Sequence, residues 1–309
     1  LEQKLTAAAR SKSLPKALVV VHMAGSPCDM ARISMLAKRH GVAVIEDASH
    51  AVGARYAGDG HDIVGNCRYA DITVFSFHPV KIITTAEGGL ALTNNADLAE
   101  RMRLFRSHGV TRDPGLMQAH SEGSWYYQQV ALGFNYRMTE LQAALGISQA
   151  ERLDEFVAKR NVLAERYDHA LSELALDVVS PSAGSLSARH LYVVLVCDSE
   201  QGQARRQVFD RMRESGIGVN VHYIPVHTQP YYHELGFRPG GWPGAETFYR
   251  RAISIPMFPT VSIRQEDQVL DALAMALKCI GQDLGLPGSI DAPSGPLRVL
   301  RCGGGRAGR

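Results

Sequence analysis

The sequence predicts an α/β protein: a parallel sheet in its first half and a smaller α+β domain in its second. Three observations carry this. The run Lys16–Met23 (KALVVVHM) is short, apolar and β-branched, as a strand buried on both faces reads. An amphipathic segment, Asp29–His40, separates it from a second apolar run, Val42–Ile45, and a β-α-β unit of this kind closes as a right-handed parallel crossover. After Pro181 the alternation of short strands and helices changes character, which marks a second domain.

The elements follow in order. Met30, Ile33, Leu36 and Ala37 share one face of the first predicted helix, and Gly41 stops it. Ile72–Phe77 and Leu90–Thr93 are predicted strands. Asn94-Asn95 turns the chain into a helix over Asp97–Phe105. Residues 106–135 show no period, and a connection that long is usually functional or partly disordered. Thr139 and Gln142 have the spacing of a capping box, opening a helix that either runs to Leu174 or breaks into two pieces. In the second half His190–Cys197 reads as a strand, Arg205–Ser215 as a helix, Val219–Ile224 as a strand and Ile263–Leu284 as a final helix. From Gly285 on, glycine, proline and arginine dominate, and a disordered tail over 285–309 is expected.

The bulk composition narrows the function. A chain of 309 residues with 45% hydrophobic and 21% charged residues can bury a sizeable core. A formal net charge of +2 argues against a nucleic-acid or membrane partner, and no apolar run is long enough to span a bilayer. Any bound anion must therefore be held by local groups. The five cysteines are scattered, with neither metal spacing nor a disulfide framework, so reduced thiols in a cytoplasmic protein are expected. No HExxH, GxGxxG, P-loop or GxSxG pattern is present, so no metal site is expected, and dinucleotide, P-loop and hydrolase-elbow chemistry lack support.

Chemistry concentrates where strands end. Lys81 follows the strand that ends at Phe77, in a loop leading to Glu87-Gly88-Gly89. The carboxyl ends of parallel strands are where α/β proteins place their sites, and burial makes a lysine amine nucleophilic. Asp47 closes the strand of Val42–Ile45, and a carboxylate there can pair with a pyridine nitrogen. It equally suits a helix cap. His78 is also read as a locally satisfied loop histidine, and Arg137 as a partner of Glu140.

In order along the chain, Asp47-x-x-His50, Ser76-x-His78-x-x-Lys81, Glu87-Gly88-Gly89, Leu104–Gly109 (LFRSHG) and Asn135–Gly146 (NYRMTELQAALG) resemble the DegT/DnrJ/EryC1/StrS sugar aminotransferases. The resemblance runs from about Lys16 to about Leu284. It implies an α/β, fold-type I PLP-dependent transferase, aspartate aminotransferase-like, with pyridoxal 5'-phosphate as cofactor. Residues 1–138 would be the remainder of the large cofactor-binding domain, and 139–284 the linking helix and small C-terminal domain. Catalytic roles fall on Lys81, as the imine-forming lysine, and on Asp47, opposite the pyridine nitrogen. Cofactor contacts extend to His50 beside the ring, Ser76 at the phosphate, and Asn135, which would reach the cofactor of a neighbouring subunit in a homodimer. Arg137, His222 and Tyr223 are the implied substrate contacts.

Lysine at position 81 favours transamination over the dehydration carried out by relatives with histidine there, because histidine cannot form an imine. The implied substrates are glutamate and a 4-keto-6-deoxy sugar nucleotide. Within the family, ITTAEGG, LFRSHG and HLYVV most resemble members that act on a UDP-linked sugar of pseudaminic acid biosynthesis, and that resemblance implies the same substrate here. A dTDP-linked sugar, or a non-catalytic homologue, stays open. Such enzymes also carry roughly another domain-scale segment of a hundred residues before the position of Leu1. That segment supplies a helix N-terminus to the cofactor phosphate, so the chain as written is expected to be a fragment with weakened cofactor binding.

Overall fold

A computed structural model describes residues 1–58, 62–197 and 202–283; the tail expected over 285–309 lies outside the described residues. The chain divides into two compact units, Leu1–Val157 with Pro181–Ala188, and Ala158–Ser180 with the residues from Arg189 on. The sequence reading set the division at residue 139. By compactness it falls later, because Leu153, Phe156 and Val157 pack into the core of the first unit.

The first unit is built on a four-stranded sheet in sequential order. Strands β1 (Ala17–Val21), β2 (Ala43–Asp47) and β3 (Ile72–Ser76) are parallel, and β4 (Gly89–Leu92) pairs antiparallel to β3. Helix α1 (Glu2–Arg10) opens the chain, and α2 (Met30–Arg39) makes the crossover between β1 and β2. The Asp29 side chain caps α2, accepting the Arg32 N–H at 3.2 Å. Gly41, at φ +65°, ends the turn that follows. Met30, Leu36 and Ala37 are buried against the sheet, and Ile33 is partly so. Side chains alternate along the strands: Val20, Val44, Glu46, Thr73 and Phe75 are buried, whereas Val19 and Val21 on the other face of β1 are exposed.

Helix α3 (Ala96–Arg106) is capped by Asn95, whose side chain accepts the Leu98 N–H. The aperiodic segment 106–135 contains a two-stranded hairpin, β5 (Val110–Thr111) with β6 (Gln128–Gln129). The long helix does break in two, into α4 (Glu140–Ala150) and α5 (Leu153–Leu171). Its capping box is formed as the spacing predicts: Thr139 Oγ1 accepts from Gln142 N–H, and Gln142 Oε1 accepts from Thr139 N–H.

The second unit holds a three-stranded antiparallel sheet of β7 (Leu176–Val178), β8 (Tyr192–Val196) and β9 (Ala252–Ile255). Helices α6 (Gln203–Glu214) and α9 (Ile263–Asp283) contribute Val208, Met212 and Leu273 to its core, beside Tyr167, Tyr192 and Ile253. Short helices α7 (Pro230–Glu234) and α8 (Pro243–Arg251) lie between α6 and β9 in the chain. The strand expected over Val219–Ile224 is not formed; only Asn220 bridges to Ser254, and the segment continues as irregular backbone. An apolar alternation of six residues that ends in Ile224-Pro225 lacks the backbone donor needed to continue a ladder. Of the cysteines, Cys28, Cys67 and Cys279 are free thiols.

Candidate active site

The ends of β2 and β3 build the site in the first unit. Asp47 is the last residue of β2, and Ser76 the last of β3. The Asp47 carboxylate accepts the Ser49 N–H at 3.0 Å, an Asx turn that swings the chain toward buried His50. Lys81 sits one turn beyond β3, where its N–H bonds the His78 carbonyl. The loop is tied down at its far end: Thr85 N–H and Thr84 Oγ1 both donate to the Phe77 carbonyl, and Phe77 N–H donates to Gly88. Gly89 is required by close approach, since a Cβ there would lie 2.6 Å from the Phe75 carbonyl oxygen.

The electrostatics join two of these residues. Half-buried Lys81 has its pKa lowered by desolvation, and the Asp47 charge partly opposes this. The lysine thus lies within electrostatic reach of the carboxylate. Ser76 Oγ faces the same loop, accepting the His78 N–H at 3.4 Å. His78 itself is exposed, and its Nδ1 accepts from Val80 N–H, a local role.

Asn135 ends the aperiodic segment 106–135. It bridges to Ser107, and it is exposed between Phe134 and Tyr136, whose rings stack at 4.8 Å. Arg137 lines a groove of about 830 Å³ with Leu90, Leu92, Phe105, Arg106 and Tyr136; neither Lys81 nor Asp47 lines it. In the second unit, His222 Nδ1 lies 2.8 Å from Ser254 Oγ, and half-exposed Tyr223 packs edge-on against the His222 ring.

One cluster was not singled out by sequence. Glu46, fully buried beside Asp47, takes hydrogen bonds from His22 Nε2 (2.7 Å), Thr73 Oγ1 (2.7 Å) and Tyr56 Oη (2.5 Å). Burial alone would raise its pKa, but the donors of His22, Thr73 and Tyr56 outweigh burial and hold it below the usual carboxylate range. The signal was present: a glutamate inside the apolar run AVIED, and a histidine closing VVV.

A parallel-dominated sheet, a desolvated lysine just past one strand and a carboxylate ending its neighbour fit a fold-type I pyridoxal-phosphate enzyme. The amine, carboxylate and hydroxyl are the donor set that this cofactor's aldehyde, pyridine nitrogen and phosphate call for. The model of the DegT/DnrJ/EryC1/StrS aminotransferase family matches residues 1–274, and the chain belongs to that family. It is 36% identical over 279 residues to the spore coat polysaccharide biosynthesis protein SpsC of Bacillus subtilis, covering 89% of this chain and 69% of SpsC. Among solved structures it is similar to Helicobacter pylori PseC, an aminotransferase involved in the biosynthesis of pseudoaminic acid. The TM-score is 0.77 and the identity 29%, over 86% of this chain and 68% of that one. The PMP form of the putative sugar aminotransferase Spr1654 from Streptococcus pneumoniae gives a TM-score of 0.77 at 27% identity, over 86% and 70% of the two chains. The protein is a sugar aminotransferase dependent on pyridoxal 5'-phosphate.

Proposed function

We propose that the protein moves the amino group of glutamate to C4 of a UDP-linked 4-keto-6-deoxy sugar, the reaction of a UDP-4-amino-4,6-dideoxy-N-acetyl-β-L-altrosamine transaminase. The observation that carries the site assignment is the lowered proton affinity of Lys81, with Asp47 as the charge it faces. The likeness to PseC supports the choice of sugar. Bound pyridoxal phosphate supplies an electron sink for the substrate carbanion and a carrier for the amino group.

Burial disfavours the ammonium of Lys81 and so eases the release of its proton, and the amine would take and return the proton at the reacting carbon. Asp47 would hold the pyridine nitrogen. His50 would lie beside the ring, and Ser76 would donate to the phosphate. Asn135 acts across a homodimer interface, for which its exposure leaves it available. Arg137, His222 and Tyr223 contact the sugar nucleotide or the glutamate carboxylates. One site serves both half-reactions, so the kinetics are ping-pong. The proposal also places the reaction in the cytoplasm; no helix among the described residues is long and apolar enough to cross a membrane.

The test is an assay of 2-oxoglutarate release from glutamate against a panel of UDP- and dTDP-linked 4-keto sugars, with light scattering for the dimer. Turnover confined to UDP-linked sugars is expected, as is loss of the cofactor's visible absorbance in Lys81→Ala. An unchanged spectrum in Lys81→Ala removes the site assignment. Preference for a dTDP-linked sugar removes the substrate assignment.

A further inference from the structure

We infer that Glu46 is a positioning residue, holding the end of β2 so that Asp47 points into the site. This rests on the role proposed for Asp47. Glu46 and Asp47 are neighbours on one strand, so their side chains leave on opposite faces. Asp47 turns toward the lysine loop, and Glu46 toward the helix-covered core.

On that buried face one carboxylate gathers three elements: His22 just after β1, Thr73 in β3, and Tyr56 from the segment beyond β2. Two backbone bonds then hold the peptide that joins Asp47 to Ala48 from both sides: His22 N–H donates to Asp47 O at 3.0 Å, and Ala48 N–H donates to Val74 O at 2.9 Å. The imidazole is fixed in turn by the Cys28 N–H, 3.2 Å from His22 Nδ1.

A buried carboxylate is an expensive way to fill a core. Well-packed apolar residues of the same volume usually do as well or better for stability. What the carboxylate adds is direction. Three donors with fixed geometry allow one strand register and one orientation of the Asp47 peptide, which an apolar contact would leave free to slide. Misplacement of a catalytic group by about 1 Å can cost on the order of a hundredfold in rate, so this is the property the neighbouring Asp47 needs.

The test compares Glu46→Gln, Thr73→Val and Tyr56→Phe with Asp47→Asn and with Leu5→Ala, a core variant on α1 away from the strand ends. Two readouts are taken. The first is amide exchange at His22 and Ala48 in the cofactor-free protein. The second is the pH midpoint of the visible absorbance after loading with pyridoxal phosphate. Glu46→Gln and Thr73→Val are expected to speed exchange at both amides about tenfold. They should also move the midpoint in the same direction as Asp47→Asn, by about half a unit. Leu5→Ala should lower the melting temperature and move neither. If Glu46→Gln fails to fold, Thr73→Val and Tyr56→Phe, which each remove one donor at constant shape, carry the comparison. Variants that only lose stability, as Leu5→Ala does, overturn the inference. A midpoint unmoved by Asp47→Asn itself overturns the role of Asp47 and this inference with it, whereas a midpoint moved by Asp47→Asn alone overturns only the latter.

Discussion

Replacing Gly109 with alanine should damage the segment that carries Asn135 far more than a glycine substitution ordinarily does. Gly109 has φ +71°, and holding an L-residue there costs about 1–2 kcal/mol. A Cβ at this position would also lie 1.8 Å from the Ala131 carbonyl oxygen and 2.5 Å from its carbon. These are backbone atoms and cannot rotate aside. The Gly109 carbonyl accepts the N–H groups of Val130 (2.9 Å) and Ala131 (3.3 Å), so relieving the overlap opens the hairpin it anchors. Forced overpacking adds about 1–3 kcal/mol, for an expected loss of about 2–5 kcal/mol. Gly41 is the control: its φ is +65° and nothing lies within 4 Å of the added Cβ. Gly41→Ala should therefore show only the conformational cost of about 1–2 kcal/mol. Urea denaturation of both variants gives the difference from the midpoints at constant slope. Amide exchange at His108 and Tyr136, which bond Phe134 and Arg106 across the same crossing, localises it. A Gly109→Ala variant no less stable than Gly41→Ala would refute the collision argument.

Two further outcomes follow from buried charge. Because the folded Lys81 pKa is lowered, the unfolded chain holds its proton more tightly, and stability rises with pH between the folded pKa and the ordinary lysine value. Lys81→Met should raise the melting temperature of the cofactor-free protein near pH 7, with a gain that shrinks as pH climbs through that window; calorimetry across a pH series reads it, and a lower melting temperature at pH 7 contradicts a desolvated lysine. Arg160, buried in the second unit with its pKa lowered to about 10 by burial, donates from one nitrogen to the carbonyls of Arg189 (3.1 Å), His190 (3.3 Å) and Met257 (2.7 Å). Arg160→Met strands those carbonyls and should cost about 2–4 kcal/mol in chemical denaturation; no loss would mean that water replaces the guanidinium freely.

The sequence by itself determined the first β-α-β unit, because apolar runs, an Asp cap and a Gly stop are all local signals. It also determined the capping box at Thr139, the placement of Lys81 beyond β3 and of Asp47 at the end of β2, since a motif is a spacing and a spacing is written in the chain. It did not determine the antiparallel turn of β4 onto β3, the break between α4 and α5, the failure of Val219–Ile224 to become a strand, or the small strands β7 and β9. Those depend on which partner edge is within reach after folding, and a short apolar run carries no information about its partner. The carboxylate cluster around Glu46 belongs with them. His22, Glu46, Tyr56 and Thr73 span 52 positions of the chain with no common period. Only the parallel register of β1, β2 and β3 brings their donors to one buried oxygen pair. The chain spelled out a lysine and a carboxylate at neighbouring strand ends. The tertiary structure decided that the amine is desolvated and that the carboxylate beside it rests on a second, hidden one.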